Sequence, residues 1–354
     1  MVADDHFQIS HLPVATIGFH WPRPISHLPI AFHLTIRYSY ALKRMGAADK
    51  FSSIATNAAE QGLANMDYTL TARHIILRHW VIDMNTSQKL LNAARLYCMN
   101  RHAHWCAKYQ AINDQGGARF GHGYTDKAYD TFPRYNVLDA ILIDIERLDS
   151  DDLPALENLA ELLILAGHTA QSVFIEKPSS PIESAAIADE RQQFAAAIAE
   201  LASGQIPDVS ALPYRRVLSV TEVESLWLRV KARWGTDGSY FYPLAESTDP
   251  SLAAFDETAF NKQFPPASLQ DILRAQGINR LFELREYGDN NYRLSIDIWE
   301  PYYDGAEGFW FTESLDWIMY VSHENTITTG GTLTDAVMKN WPEASMHNWK
   351  TWNG

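Results

Sequence analysis

Apolar positions in the first half of the chain recur at steps of three and four, which is the spacing of one face of an α-helix. The longest example is "NTSQKLLNAARLYCMNRHAHWCAKYQAIND", where Leu91, Ala94, Cys98 and Trp105 fall on one stripe. The segments "FPRYNVLDAILIDIERLDS", "DDLPALENLAELLILAG" and "SPIESAAIADERQQFAAAIAELASG" repeat this rhythm. Residues 34–203 are therefore predicted to form a helical bundle domain.

The pattern changes after "GQIPDVSALPYRR", a stretch with two prolines that predicts a linker over residues 204–216. A helix is then predicted to begin at Ser219, because Glu222 follows three residues later in capping-box spacing. Aromatic and β-branched runs predict strands in "SYFYPL", "RLFELREY", "YRLSIDIW", "GFWFT" and "LDWIMYVS", with helices in "SLQDILRAQG" and "TLTDAVMKNW". Residues 217–354 are predicted to form an α+β domain with a mostly antiparallel sheet and flanking helices.

The first 33 residues contain "ISHLPVA" and "ISHLPIA", a short duplication rich in histidine and proline. Proline disfavours helix in the residue before it, so residues 1–33 are predicted to be an extended segment that packs over a neighbouring element. A metal-binding or peptide-binding role for His11, His20 and His27 is the alternative.

Composition narrows the class of protein. A chain of 354 residues suits two domains of about 150 residues each. Its apolar runs are far shorter than the roughly 20 residues that cross a bilayer, and "MVADDHFQIS" lacks the basic start of a signal peptide. With two cysteines and a net charge of -14, we expect a cytoplasmic protein that binds neither membrane nor nucleic acid.

Two helical patterns resemble metal sites. Cys98, His102 and Cys106 share one helical face, but the two cysteines are about 12 Å apart on a helix and one zinc ion cannot join them. Asp139 and Glu146 also share a face, which we interpret as solvated acids because no Glu-x-x-His motif accompanies them. No phosphate-binding or dinucleotide-binding motif is present, so we expect no cofactor and no metal.

The predicted hairpin "LFELREYGDNNYRLSIDIW" raises a question of charge. Matching the apolar positions of its two strands puts Glu283 opposite Asp297, and like charges across a ladder destabilise a sheet. Arg285 and Arg293 could screen the pair, a basic partner could bind it, or the two carboxylates could act as general acid and base.

The stretch "LDWIMYVSHENTITT" predicts a central strand, because its residues are apolar on both sides, followed by a turn at "SHEN". His323 and Glu324 are then placed at the corner of a hairpin, where adjacent side chains usually point apart. A structural turn, a partner contact and an acid/base pair all remain open for these two residues.

Acidic residues are concentrated from residue 281 to residue 324. This segment of 44 residues contains ten acidic and two basic residues, so its net charge is -8. Aromatic residues in a charged setting are typical of protein interfaces, although the tryptophans could instead be core. The predicted partner-binding residues are Glu283, Asp297, Trp299, Glu300, Tyr302, Tyr303, Asp304, Glu307, His323 and Glu324.

The C-terminal third of the chain resembles small uncharacterised bacterial domains that are often encoded beside polymorphic toxins as their immunity proteins. The resemblance is carried by "GFWFTESLDWIMYVSHENTITTGGTL" and by the preceding segments "SYFYPL" and "LFELREYG". The resemblance covers residues 214–354 and implies a non-catalytic protein that covers the basic surface of a toxin domain. The alternative is a hydrolase that uses Glu283, Asp297, His323 or Glu324 in a cleft between the domains.

Overall fold

The computed structural model describes residues 85–120, 123–236, 241–247, 249–287 and 290–349. The predicted extended segment 1–33 and residues 34–84 of the predicted helical domain lie outside these ranges. The described part contains eight α-helices and a seven-stranded antiparallel sheet, so a mixed α+β architecture is confirmed. No helix in these ranges has the length and apolar character needed to cross a membrane.

Four helices come first and pack around a shared apolar core. Three of the four N-termini are capped by a side chain: for example, the Asn85 side chain accepts a hydrogen bond from the backbone N–H of Gln88, and the Ser180 side chain does the same for Glu183. The helices are α1 (Thr86–Asp114), α2 (Asp126–Ile145), α3 (Leu156–Thr169) and α4 (Pro181–Ser203).

The strands follow, apart from a two-stranded ribbon between α1 and α2 formed by β1 (Arg119–Phe120) and β2 (Gly123–Tyr124). The large sheet has the spatial order β3-β6-β5-β7-β8-β9-β4, and all its neighbours are antiparallel. Its strands are β3 (Arg215–Val217), β4 (Ala253–Asp256), β5 (Arg280–Arg285), β6 (Tyr292–Ser295), β7 (Gly308–Phe311), β8 (Trp317–Val321) and β9 (Thr326–Gly331).

Both faces of the sheet are buried. Met319 of β8 points into one apolar cluster and Tyr320, its neighbour, into another, so the predicted central strand is confirmed. Residues of α5 belong to the second cluster, and residues of the other three helices belong to the first. These helices are α5 (Val220–Trp234), α6 (Glu257–Gln263), α7 (Pro266–Ala275) and α8 (Thr332–Asn340).

The strands of the structure differ from the predicted strands in four places. Residues 242–244 of "SYFYPL" form a turn, and Phe241 fills the core against Phe309 and Tyr320. Strands β3 and β4 were not predicted, and β3 begins within the residues expected to be a linker. Strand β6 ends at Ser295, whose hydroxyl accepts a hydrogen bond from the backbone N–H of Asp297 and opens a short 3-10 helix.

The expected pairing of Glu283 with Asp297 is wrong. In the β5–β6 ladder Glu283 lies opposite Tyr292. Asp297 lies outside this ladder, because β6 ends at Ser295. The Asp297 carboxylate instead accepts a hydrogen bond from Arg274 at 2.6 Å. No like-charge pair therefore forms across this ladder.

The helices and the sheet are joined by buried charges. Glu146 is 1% exposed and pairs with Arg95 at 3.0 Å and Arg215 at 3.2 Å, so its expected position on a solvated face is wrong. Its backbone carbonyl also accepts a hydrogen bond from Val217 at 2.7 Å, which covers part of the edge strand β3. Strand β3 is thus held both by the four helices and by its neighbour in the sheet.

Candidate functional site

Three loops meet at one end of the sheet. Arg285 ends β5 opposite Gly308 at the start of β7, and Gly308 lies opposite Val321 at the end of β8. The loop after β5, the loop before β7 and the β8–β9 turn therefore lie together. We call their polar and aromatic side chains the acidic corner: Glu286, Tyr287, Tyr302, Tyr303, Asp304, Glu307, His323 and Glu324.

His323 lies between two carboxylates in this corner. Glu307 is 2% exposed, and its Oε1 contacts His323 Nδ1 and accepts a hydrogen bond from the His323 backbone N–H. On the other side, His323 Nε2 lies 3.1 Å from Oε1 of Glu324. The hairpin turn is present, since Ser322 N donates to the Thr326 carbonyl, but the expectation that His323 and Glu324 point apart is wrong.

These contacts favour the charged form of His323. An ionised carboxylate only accepts hydrogen bonds, so only the doubly protonated imidazole can donate to both Glu307 and Glu324. The hydrogen bond to Glu307 raises the pKa of His323 above its ordinary value, and the nearby charges of Glu307, Glu324 and Glu286 act in the same direction.

Arg285 organises the interior beneath the corner. Its guanidinium donates to Glu283 at 2.9 and 3.1 Å, and the second oxygen of Glu283 accepts from the indole of Trp310 at 3.1 Å. Arg285 also donates to the Tyr302 carbonyl and to Asp304 at 3.1 Å. One of the two arginines expected to screen Glu283 thus does so, and it also fixes the loop before β7.

Three of the predicted partner-binding residues are not on the surface. Glu283 and Glu307 are each 2% exposed, and Trp299 is fully buried with its ring 6.1 Å from that of Trp317. Their expected place on an exposed face is wrong, because the sheet is covered by helices on both sides. The other seven are exposed or half-buried: Asp297, Glu300, Tyr302, Tyr303, Asp304, His323 and Glu324.

Asp297 lies at the other end of the sheet from His323. It follows Ser295, which pairs with Arg280 at the start of β5, whereas His323 lies near the end of that strand. Five residue steps of about 3.4 Å separate the two ends by about 17 Å. The predicted catalytic set of Glu283, Asp297, His323 and Glu324 therefore does not converge on one point.

The acidic corner remains strongly negative and partly aromatic. Its four carboxylates (Glu286, Asp304, Glu307 and Glu324) give a net charge of -4 with neutral His323 and -3 with charged His323. The charges of Arg285 and Glu283 beneath the corner cancel each other. Tyr287 is 67% exposed and Tyr303 39% exposed. Sequence reasoning missed Glu286 and Tyr287 as site residues, although both directly follow a strand that ends beside the "SHEN" turn.

The thiol and imidazole of the helical part are not activated. Cys106 Sγ lies 3.7 Å from His102 Nδ1, but burial lowers the pKa of His102 to about 4 and raises the pKa of Cys106 to about 12. Both groups are neutral near pH 7, unlike a thiolate–imidazolium nucleophile. Among the residues that the structure describes, no group of three or more metal-binding side chains is found.

The chain matches no protein-family model, no curated protein and no solved structure with which it was compared. Its function is therefore inferred from the chemistry of its own residues.

Proposed function

We propose that this protein binds a basic protein partner through the acidic corner and acts by covering the partner's surface, without catalysis. The observation that supports this proposal is the combination of two exposed tyrosine rings with a local net charge of -4. Arginine and lysine side chains interact favourably with both features, since they pair with carboxylates and stack on aromatic faces.

The corner is also held in place before any partner arrives. The loop that carries Tyr303 and Asp304 is fixed by the buried guanidinium of Arg285, and its last residue, Glu307, is fixed by His323. Less conformational entropy is lost when a preorganised surface binds. The excess negative charge would accelerate encounter with a cationic protein in a salt-dependent way.

A toxin domain is the partner class that we propose. Residues 214–354 resemble domains encoded beside polymorphic toxins, and the whole acidic corner lies within this range. An immunity protein needs only to occupy the toxin's functional surface, and an exposed acidic surface that is held in place before binding is suited to this task.

Hydrolysis is the second candidate, favoured by one observation. The buried carboxylate of Glu307 lies behind the exposed imidazole of His323, which is how a general base is commonly oriented. However, Nε2 of His323 is already in contact with Glu324 and cannot take a proton from a substrate while that contact persists. Binding therefore explains the geometry better.

A defined cationic probe tests the proposal. Fluorescence anisotropy of labelled deca-arginine should show about ten-fold weaker binding to Glu286→Lys/Glu324→Lys than to the unmodified protein. The matched control, Glu161→Lys/Glu200→Lys, changes two exposed acids of α3 and α4 and should weaken binding by less than about two-fold. Equal losses in the two variants would show that only overall charge matters and would refute the proposal.

The isosteric pair Glu286→Gln/Glu324→Gln separates loss of binding from loss of folding. It removes two charges without introducing new ones, so the fold is preserved more easily. The affinity should fall in the same direction and by a smaller factor. Unchanged affinity in this variant, with an unchanged circular dichroism spectrum, also contradicts the proposal.

A further inference from the structure

We propose that His323 is an internal counter-ion that controls the acidic corner: when protonated it holds Glu324, and when it loses its proton it releases Glu324 to the partner. Binding of a basic partner therefore strengthens as the pH rises. This inference rests on the proposed function and describes how the same site is regulated.

The geometry of the imidazole carries the inference. Both ring nitrogens contact carboxylates, Nδ1 with Glu307 and Nε2 with Glu324 at 3.1 Å, and only the charged imidazole has a hydrogen for each. In this state Glu324 already has a cation beside it. An arginine of a partner would have to compete with His323 for the same carboxylate.

Loss of the proton affects the two contacts unequally. Glu307 is 2% exposed, and water does not readily replace its donor, whereas the side chain of Glu324 is 49% exposed. The remaining hydrogen therefore stays on Nδ1, towards Glu307. The lone pair of Nε2 then faces the carboxylate of Glu324, and repulsion turns this carboxylate towards solvent.

The groups that face His323 do not cancel this change. Tyr303 and Tyr320 stay neutral near pH 7, since burial and neighbouring carboxylates raise the pKa of each. Glu257, at the start of α6, is tied to the turn by a hydrogen bond from its N–H to the Asn325 carbonyl, and burial raises its pKa. The charged groups around the imidazole are Glu286, Asp304, Glu307 and Glu324, with Arg285 beneath them.

Deprotonation thus makes two changes that favour a cationic partner. The net charge of the corner goes from -3 to -4, and one exposed carboxylate loses its internal partner. An exposed charge pair changes affinity by a modest amount, so the expected gain is about two-fold to five-fold in Kd.

Binding of deca-arginine at fixed ionic strength, from about pH 5.5 to about pH 8.5, tests the inference. The probe keeps its charge throughout this range. From the lower to the upper pH, the affinity of the unmodified protein should rise by about two-fold to five-fold more than the affinity of His323→Gln. Other groups that titrate, such as Asp139 with its pKa raised to about 6 by burial, are common to both proteins and cancel in this comparison. Superimposable pH profiles for the two proteins would overturn the inference.

A second measurement separates this inference from the proposed function. In the free protein, the His323 ring signal, assigned by its absence in His323→Gln, should titrate above the ordinary 6.5, and Glu324→Gln should lower its midpoint. If the probe fails to bind at every pH, the proposed function fails, while the titration still decides the inference. A midpoint that Glu324→Gln leaves unchanged would show that the internal contact does not exist.

Discussion

Replacement of Glu146 by Gln should destabilise the protein more than any exposed charge change, because this carboxylate joins the helices to the sheet. Its side chain is fully buried, between Arg95 and Arg215, whose side chains are 3% and 5% exposed. Arg95 also donates to the Pro213 carbonyl at 3.2 Å, just before strand β3. Glu146→Gln keeps the size of the side chain and removes the negative charge that both guanidinium groups face.

The magnitude follows from burial. Removing one partner of a buried ion pair costs about 3–5 kcal/mol, because a charge remains in the interior without its counter-ion. Gln retains a hydrogen-bond acceptor, so we expect a value near the lower end, about 3 kcal/mol. For a chain of 354 residues the unfolding entropy gives about 1–2 °C per kcal/mol, so Tm should fall by about 3–6 °C.

Urea unfolding followed by circular dichroism and tryptophan fluorescence measures this loss. Asp144→Asn is the control, because Asp144 lies two residues away and pairs with Arg147 at 3.4 Å with both side chains largely exposed. It should cost less than about 1 kcal/mol. If Glu146→Gln lowers the free energy of unfolding by no more than this control does, the claim that buried charges join the four helices to the sheet is refuted.

Two further predictions concern the sheet. Trp310→Phe should lower the free energy of unfolding by about 1–3 kcal/mol more than Trp317→Phe. Both rings are fully buried, but of the two indoles only that of Trp310 donates to a buried carboxylate, Glu283. Equal losses of the two variants in urea unfolding would contradict this. His323 has a raised pKa in the folded state, so its stabilising contribution is complete below the unfolded pKa of about 6.5 and is lost as the pH rises through the folded pKa. The difference in unfolding free energy between the unmodified protein and His323→Gln should therefore shrink from about pH 5.5 to about pH 8.5, and a constant difference would contradict the assignment.

Features that depend on neighbouring residues in the sequence could be predicted. The predicted capping box of Ser219 with Glu222, three positions away, is present in the structure. Strand β8 has apolar residues on both sides and is central in the sheet. Strand register was beyond such reasoning, because the Ser295 side chain ends β6 where the apolar pattern continues through Ile298.

The candidate site shows the same limit of local pattern. The predicted turn at His323 is present, but the contact of its ring with Glu307 could not be predicted, because only the antiparallel pairing of β7 with β8 brings Glu307 beside it. Glu283 and Glu286 contribute equally to the net charge of the segment, but the side chain of Glu283 is buried and that of Glu286 lies at the corner. A count of charges along the sequence cannot separate them. Burial of Glu146 likewise depends on two arginines distant in the sequence, at positions 95 and 215.

Affinity purification from the cells that naturally make this protein, with quantitative mass spectrometry, tests the binding claim most directly. The unmodified chain and the control Glu161→Lys/Glu200→Lys should enrich the same protein, rich in lysine and arginine, and Glu286→Lys/Glu324→Lys should lose it. Enrichment of that protein by all three chains, or of no basic protein by the unmodified chain, would contradict a role for the acidic corner in partner binding.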